Sequence, residues 1–509
     1  MIENVRRAVW ADASKVAPTE VLTVIDDAIA VRIVDLAMRV AELMLSAGAS
    51  AKEVTLAALR IGRAYGLKSM HVNVTYNSIM VADHRGLGQP VALMRVVFSA
   101  TPDYARLQRL QQFIVDVERG LPLPEAEKRF RVIRRTPFLY RSGVVAVFQA
   151  LLAVGVGITF GASWLNLAVV FLVALGVAGT QLGLGRLRVP LFFSQVGAAL
   201  VLVTSVVGLE LLVVAGIEPF TSVQPLVVMS SGIMLMLAGL TVVGAAQDAI
   251  DGFSLTAGGR ILELTLLTLG LALGLVVGLQ LSVSFGIGLD MPSRPLPLGA
   301  FPAQVAGSAL MAVVVALTNG AGLRIVLVSG LLGLIAWVGY ALPAGAGLDG
   351  VAASFLGASV ACGIGAGMAS ALRVPSVAVT TAGIIPLVPG TAVFRGLLGF
   401  VQAGDDTTQL ILASQTLVSA AMTGLALAAG ATLGLFVGAA VRSRLSGVRT
   451  LVRTPFHART GAGTSALTFV EAAEAIEATE AAEAAEAAKA NEAVRARRAA
   501  GAKPLRRER

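Results

Sequence analysis

Cysteine is almost missing from this sequence. Cys362 is alone among 509 residues, which excludes a disulfide framework. Only three histidines occur, too few for a multi-histidine metal centre, and no metal site is assigned. Charged residues make up 14% and hydrophobic ones 56%. Soluble domains carry about 25% charged residues, so an ordinary globular protein is excluded, and so is disorder as the main state. The 55 glycines and 19 prolines follow no Gly-X-Y period, which excludes collagen. No nucleophile-elbow, zinc or phosphate-loop motif occurs. No catalytic residue and no cofactor are therefore expected, and the chain reads as a non-enzyme.

What charge there is lies at the two ends. Residues 1–141 hold 20 Lys+Arg and 14 Asp+Glu, net +6. Residues 142–441 hold 7 and 9, net −2, with no lysine and no histidine. Residues 442–509 hold 13 and 8, net +5. The middle block belongs in a bilayer. Its basic flanks suit a membrane surface and give no reason to expect nucleic acid. Met1 to Glu20 shows no signal-peptide pattern, and the first long apolar run comes after about 140 residues.

Residues 1–23 read as an N-terminal arm and residues 24–135 as a small cytosolic α+β domain. Ile29, Ile33, Leu36, Val40, Leu43 and Met44 recur at helical spacing over 24–46. Ser50 and Glu53 form a capping-box pattern that opens a second helix ending near Tyr65-Gly66. Met70 to Ala82 alternates as a strand, Asp83-His84-Arg85-Gly86 as a turn, Val91 to Phe98 as a second strand and Asp103 to Glu118 as a third helix.

A membrane helix needs about 20 apolar residues. Residues 142–287 and 303–441 each divide into five such runs: 142–161, 164–183, 191–214, 223–247 and 261–287, then 303–320, 325–342, 350–371, 376–400 and 408–441. Arg134, Arg135, Arg141, Arg186, Arg188, Arg260, Arg324, Arg373, Arg442 and Arg444 then fall on one side, with Arg294 alone among the arginines of the opposite gaps. The arginine side is cytoplasmic by the positive-inside rule, so both termini lie inside. Gly232, Ile233 and Gly239 of the fourth run align with Gly383, Ile384 and Gly390 of the ninth. Five spans per half make the two halves an inverted repeat, and interrupted helices in such repeats mark secondary transporters with a site near the midplane.

The candidate solute-binding residues follow from that pattern. Pro386 and Pro389 remove backbone donors, and Gly390 loosens the helix after them. The carbonyls so released must face protein or water. Thr380, Thr381 and Thr391 add hydroxyls, and Ser230 and Ser231 add two from the matching span beside Gly239. The same composition also serves as a kink with close glycine packing. Arg395, the basic residue well inside a span, suits a carboxylate or else snorkels to the surface. Asp248, Asp251, Glu263 and Glu210 are the candidates for proton coupling. Without a Walker A sequence, ATP is not the direct energy source in this chain, which leaves ion-coupled transport or passive conduction.

Residues 442–509 form a tail in which Glu471, Glu474, Glu477, Glu480, Glu483 and Glu486 recur every third position among alanines. That step circles a helix and leaves no apolar stripe, so a solvated, partly helical tail is expected.

Leu36-Ala37-Met38-Arg39, Ser46-Ala47-Gly48-Ala49, Tyr65-Gly66-Leu67, Asp248 through Arg260-Ile261-Leu262-Glu263, and Pro386-Leu387-Val388-Pro389-Gly390 together resemble the ThrE threonine/serine exporters of bacteria. The resemblance covers roughly residues 25–440 and implies two fused membrane modules. It also implies export of threonine or serine across the inner membrane, driven by the proton motive force. One departure is Ala238, where the first module of that family usually carries proline. The implied partners are the small solute, protons and the lipid bilayer; a homo-oligomer is compatible with the sequence. The alternatives are export of small dicarboxylates, or a membrane-anchored signalling or hydrolytic protein that works through its front domain.

Overall fold

Apolar residues at helical spacing put α1 at Asp27–Ser46. Ser50 then starts α2, Ala51–Ala64: its hydroxyl accepts the Glu53 N–H, and the Glu53 carboxylate takes the Ser50 N–H in return. The computed structural model describes residues 27–84, 91–97, 101–236, 239–284, 297–372, 374–403 and 406–452. The expected arm 1–23, the turn at Arg85-Gly86, Arg294, Arg373 and the tail beyond Val452 lie outside the described residues. The chain forms two compact units, Met1–Leu445 and Ser446–Arg509.

The alternation over Met70 to Ala82 belongs to two strands rather than the expected one. β1 (Met70–Thr75) and β2 (Ser78–Asp83) pair antiparallel around a two-residue turn, with Thr75 opposite Ser78. Tyr76 takes a positive φ of 40° there, and the following asparagine suits such a turn. A period of two continues through a two-residue turn, which is why the break does not show in the sequence. β3 (Val91–Val96) completes a sheet of order β1-β2-β3. Helix α3 (Tyr104–Glu118) follows its cap Asp103, and α4 (Leu123–Arg135), which the sequence reading did not anticipate, leads to the apolar block.

Eight described helices are long and apolar enough to cross a membrane. They are α5 (Ser142–Thr159), α6 (Trp164–Arg186), α7 (Leu191–Val214), α10 (Ser254–Ser284), α11 (Phe301–Thr318), α12 (Leu323–Gly345), α13 (Gly350–Leu372) and α16 (Thr407–Val452). The fourth apolar run is described as α8 (Pro225–Met236) and α9 (Gly239–Ile250), on either side of Leu237-Ala238, which lie outside the described residues. The ninth run is broken, into α14 (Ser376–Ile384), a single 3-10 turn (Ile385–Leu387) and α15 (Gly390–Ala403). At about 1.5 Å per residue, neither α14 nor α15 spans a 30 Å hydrocarbon layer by itself.

Glycines set the packing within each half. A Cβ at Gly270, Gly274 or Gly278 of α10 would strike the Phe192 carbonyl, the Val196 carbonyl and Ala199, or Val203 of α7. Gly430, Gly434 and Gly438 of α16 meet the Phe355 carbonyl, the Ser359 carbonyl and Cys362, or Gly363 and Ala366 of α13 in the same way. The two α7 and α13 surfaces therefore correspond residue by residue, Phe192 with Phe355 and Val196 with Ser359. The halves meet where α5 crosses α11, and a Cβ at Gly307 would lie 2.6 Å from the Gly155 carbonyl oxygen.

The front elements do not stand apart from the bundle. Met38, Ile61 and Phe113 share one buried cluster with Ile325, Leu332, Val379 and Ala382 of α12 and α14. They cover the bundle end that carries Arg186, Arg188, Arg260 and Arg324, since they touch the α9–α10 and α11–α12 turns.

Candidate functional site

Helix α9 of the first half packs against the break in the ninth run. Val243 and Ala246 of α9 lie in one apolar cluster with Ile384, Leu387 and Val388 at that break. Trp337 and Ala358 of the second half complete that wall. The Trp337 Nε1 donates to Gln304 Oε1 at 3.2 Å, and Gln304 Nε2 donates to the Gly299 carbonyl at 2.7 Å.

The predicted binding residues lie on α8 and α9, on α14 and α15, and at the break between the last two. Ser231 is fully buried in α8, its hydroxyl without a hydrogen-bond partner among the described residues, on the side where a Cβ at Gly157 of α5 would lie 3.7 Å away. Ser230 beside it is half-buried. Gly239 is the first residue of α9, and Gly390 and Thr391 open α15. Pro386 is buried inside the 3-10 turn, and Pro389 lies between that turn and α15. Thr380 is buried and donates to the Ser376 carbonyl of its own helix at 2.8 Å; Thr381 is half-buried. Arg395 is half-buried in α15.

A buried pair of glutamines ties three helices of the first half together. Gln195 of α7, 7% exposed, donates its amide N–H to the Met236 carbonyl of α8 at 3.1 Å. Its own oxygen accepts from Gln181 Nε2 of α6 at 3.0 Å.

The four proton-coupling candidates separate. Glu210 sits half-buried in α7. The other three gather where the front elements dock. Asp248, expected in a loop between spans, lies in the last turns of α9 and is 1% exposed. Its Oδ1 accepts the Ala51 N–H at 3.4 Å, and its Oδ2 pairs with Arg260 Nη1 at 3.0 Å. The N-terminal end of α2 thus has a carboxylate from another element at its positive pole. Lys52 Nζ meets Asp251 Oδ1 at 2.7 Å. Tyr76 OH donates to Glu263 Oε2 at 3.1 Å, while its backbone N–H goes to Thr256 Oγ1 at 3.1 Å. Gly259 leaves the space that the Tyr76 ring fills. Burial pushes the Glu53 carboxyl up to about 7, against the pull of the Ser50 N–H, and the Asp251 carboxylate adds to the rise.

On the other side, the Tyr104 N–H donates to the Asn319 carbonyl at 2.8 Å, and Tyr140 OH to the Ala321 carbonyl at 2.9 Å. The front elements therefore bind both halves at one end. Among the described residues no group of three His, Cys, Asp or Glu side chains is placed to hold a metal.

The ThrE threonine/serine exporter model matches residues 35–282. A second model, described as Threonine/Serine exporter, ThrE, matches residues 304–437. A Mycobacterium tuberculosis protein named "Probable threonine/serine exporter" is 32% identical over 434 residues, which is 82% of this chain and 78% of that one. The threonine/serine exporter of Corynebacterium glutamicum is 28% identical over 442 residues, 85% of this chain and 88% of that one. No solved structure matches. The matches on both sides of the molecule and the eight membrane-length helices make this chain a multi-pass protein of the bacterial cell membrane, a transporter and not an enzyme, belonging to the ThrE family of threonine/serine exporters.

Proposed function

We propose that this chain exports threonine or serine by secondary active transport, coupled to protons. The observation that supports it best is the broken ninth run, whose break shares a single buried cluster with α9 of the other half. With the fourth and ninth runs each counted as one crossing, the chain has ten spans. Five per half makes the second half enter from the opposite side, an inverted repeat. Both termini and the front elements then lie in the cytoplasm, with the arginine end.

The solute sits between the fourth run and the break in the ninth. The backbone around Pro386, Pro389 and Gly390 and the hydroxyls of Ser230, Ser231, Thr380, Thr381 and Thr391 hold its ammonium and hydroxyl, with Gly239 giving room opposite. Arg395 holds its carboxylate. Coupling runs through Asp248, with Asp251, Glu263 and Glu210 as further candidates. A proton on Asp248 removes the charge that Arg260 and the α2 terminus both hold. The front elements then loosen from the first half and open the cytoplasmic end.

Export of preloaded labelled threonine, with and without an uncoupler, tests this. Uphill efflux that the uncoupler abolishes is the expected result. Efflux no faster than in cells lacking the protein would remove threonine as the solute and send the same assay to a dicarboxylate panel. Asp248→Asn should fold yet lose uphill export, because the amide keeps an oxygen for the Ala51 N–H. Full uphill export by that variant would take Asp248 out of the mechanism.

A further inference from the structure

An open cleft of about 790 Å³ lies at the arginine end of the bundle, where α5 begins and α6 ends. One wall is the strap that links α4 to α5, and three contacts hold that strap in place. Arg106 Nη2 donates to the Thr136 carbonyl at 2.9 Å. A Cβ at Gly320 would lie 2.8 Å from the Phe138 ring, so that ring sits tight on the α11–α12 turn. Tyr140 OH donates to the Ala321 carbonyl at 2.9 Å, and its ring stands edge-on to Phe148 at 5.2 Å. Arg141, just before α5, and Arg186, the last residue of α6, both line the cleft, and no aspartate or glutamate does. Among the described residues neither guanidinium meets a carboxylate. The remaining wall is apolar: Val144 and Val147, one turn apart on α5, are 42% and 37% exposed. Because α5 is long and apolar enough to cross a membrane, that face continues into hydrocarbon.

We propose that this cleft binds an anionic phospholipid, with Arg141 and Arg186 on the phosphate of its headgroup and Val144 and Val147 along the first carbons of an acyl chain. A guanidinium presents paired N–H donors that match phosphate oxygens, and basic pockets between membrane helices take lipid headgroups in this way. The volume falls in the range of about 300–1,000 Å³ found for small-molecule sites, which holds a whole headgroup and not just a phosphate ion. The apolar wall decides against a water-soluble phosphate compound, which has no chain to lay on Val144 and Val147. A lipid seated there fastens to the bilayer the strap that joins the front elements to the bundle. This site is independent of which solute the chain exports.

The test titrates purified full-length protein, in uncharged detergent, with phosphatidylglycerol, and reads melting temperature together with lipid retained in native mass spectrometry. Phosphatidylglycerol should be retained and raise the melting temperature; phosphatidylcholine, neutral overall, should do neither at the same concentration. Arg141→Gln combined with Arg186→Gln should weaken the apparent Kd for phosphatidylglycerol at least about tenfold. Arg135→Gln combined with Arg188→Gln removes the same charge from exposed positions outside the cleft and should change it less than about twofold. Gly143→Phe keeps both arginines and fills the cleft, since a Cβ there meets nothing within 4 Å. It should also weaken binding at least about tenfold, and it decides the matter where the Arg141 and Arg186 pair of substitutions prevents folding. Equal loss in the two arginine pairs would show a diffuse basic surface and overturn the site. Phosphatidylcholine bound as well as phosphatidylglycerol would overturn the role of the arginines. Inorganic phosphate that displaces phosphatidylglycerol at millimolar concentration would assign the cleft to a soluble anion and overturn the lipid.

Discussion

Ser50, Glu53 and Asp248 converge on the first turn of one helix, and each contributes a different kind of interaction. Ser50 caps its own helix, as its sequence spacing already indicates. Asp248 reaches the same turn from 197 residues away, a contact no local pattern announces. Glu53 lies between them with its carboxyl at about 7. A carboxyl whose pKa is higher folded than unfolded favours the protonated folded state. Its contribution is fully present below the unfolded value, near 4.5, and is lost as pH rises through about 7. Melting temperature should therefore fall between about pH 5 and pH 8 in the unsubstituted protein, and Glu53→Gln should flatten that fall; an unchanged profile would show that Glu53 does not titrate in this range. Asp248→Ala leaves Arg260 without its carboxylate and should cost about 3–5 kcal/mol, more than Asp248→Asn, by denaturant unfolding of the purified protein.

At the scale of elements, small residues govern close approach. The Gly270, Gly274, Gly278 and Gly430, Gly434, Gly438 series carry α10 onto α7 and α16 onto α13. A leucine at Gly274 would meet the Val196 carbonyl at 2.6 Å, and backbone cannot step aside as a side chain can. Gly274→Leu should destabilise the fold by about 1–3 kcal/mol, read as a lower melting temperature, while Gly179→Leu, in open space on α6, should have little effect. The same scale shows what period alone conceals. The Tyr76-Asn77 turn preserves the alternation on either side of it, so one expected strand is a hairpin. The interruption near Pro386 was legible because proline has no N–H to give. The Gln195 amide that reaches the Met236 carbonyl comes from another helix, and no local pattern announces that contact.

The molecule as a whole is built around a front layer that joins both halves at one end. Lys52 reaches Asp251 on one side, and Tyr104 reaches Asn319 on the other. Because Ile325, Leu332 and Val379 are buried in the same cluster as Met38 and Phe113, removing the front elements would expose an apolar surface with no lipid to cover it. A chain beginning at Pro137 should aggregate on size-exclusion chromatography in detergent, where the full chain elutes as a single peak. A truncated chain that stays dispersed and exports at the full rate would show that the layer is an accessory.

Composition, the long apolar runs and the prolines by themselves determined that this chain lives in a membrane, how its apolar runs are spaced, and that the ninth run is interrupted. Those properties are local: each depends on residues near one another in the chain, through hydropathy, helical period and a missing N–H. Only the tertiary structure decided which carboxylate meets which helix end, which carbonyl Gln195 reaches, and how the glycines of α10 and α16 seat on α7 and α13. Those are contacts between residues far apart in sequence. They are set by how closely glycines let helices approach and by the requirement that a buried carbonyl or carboxylate find a partner.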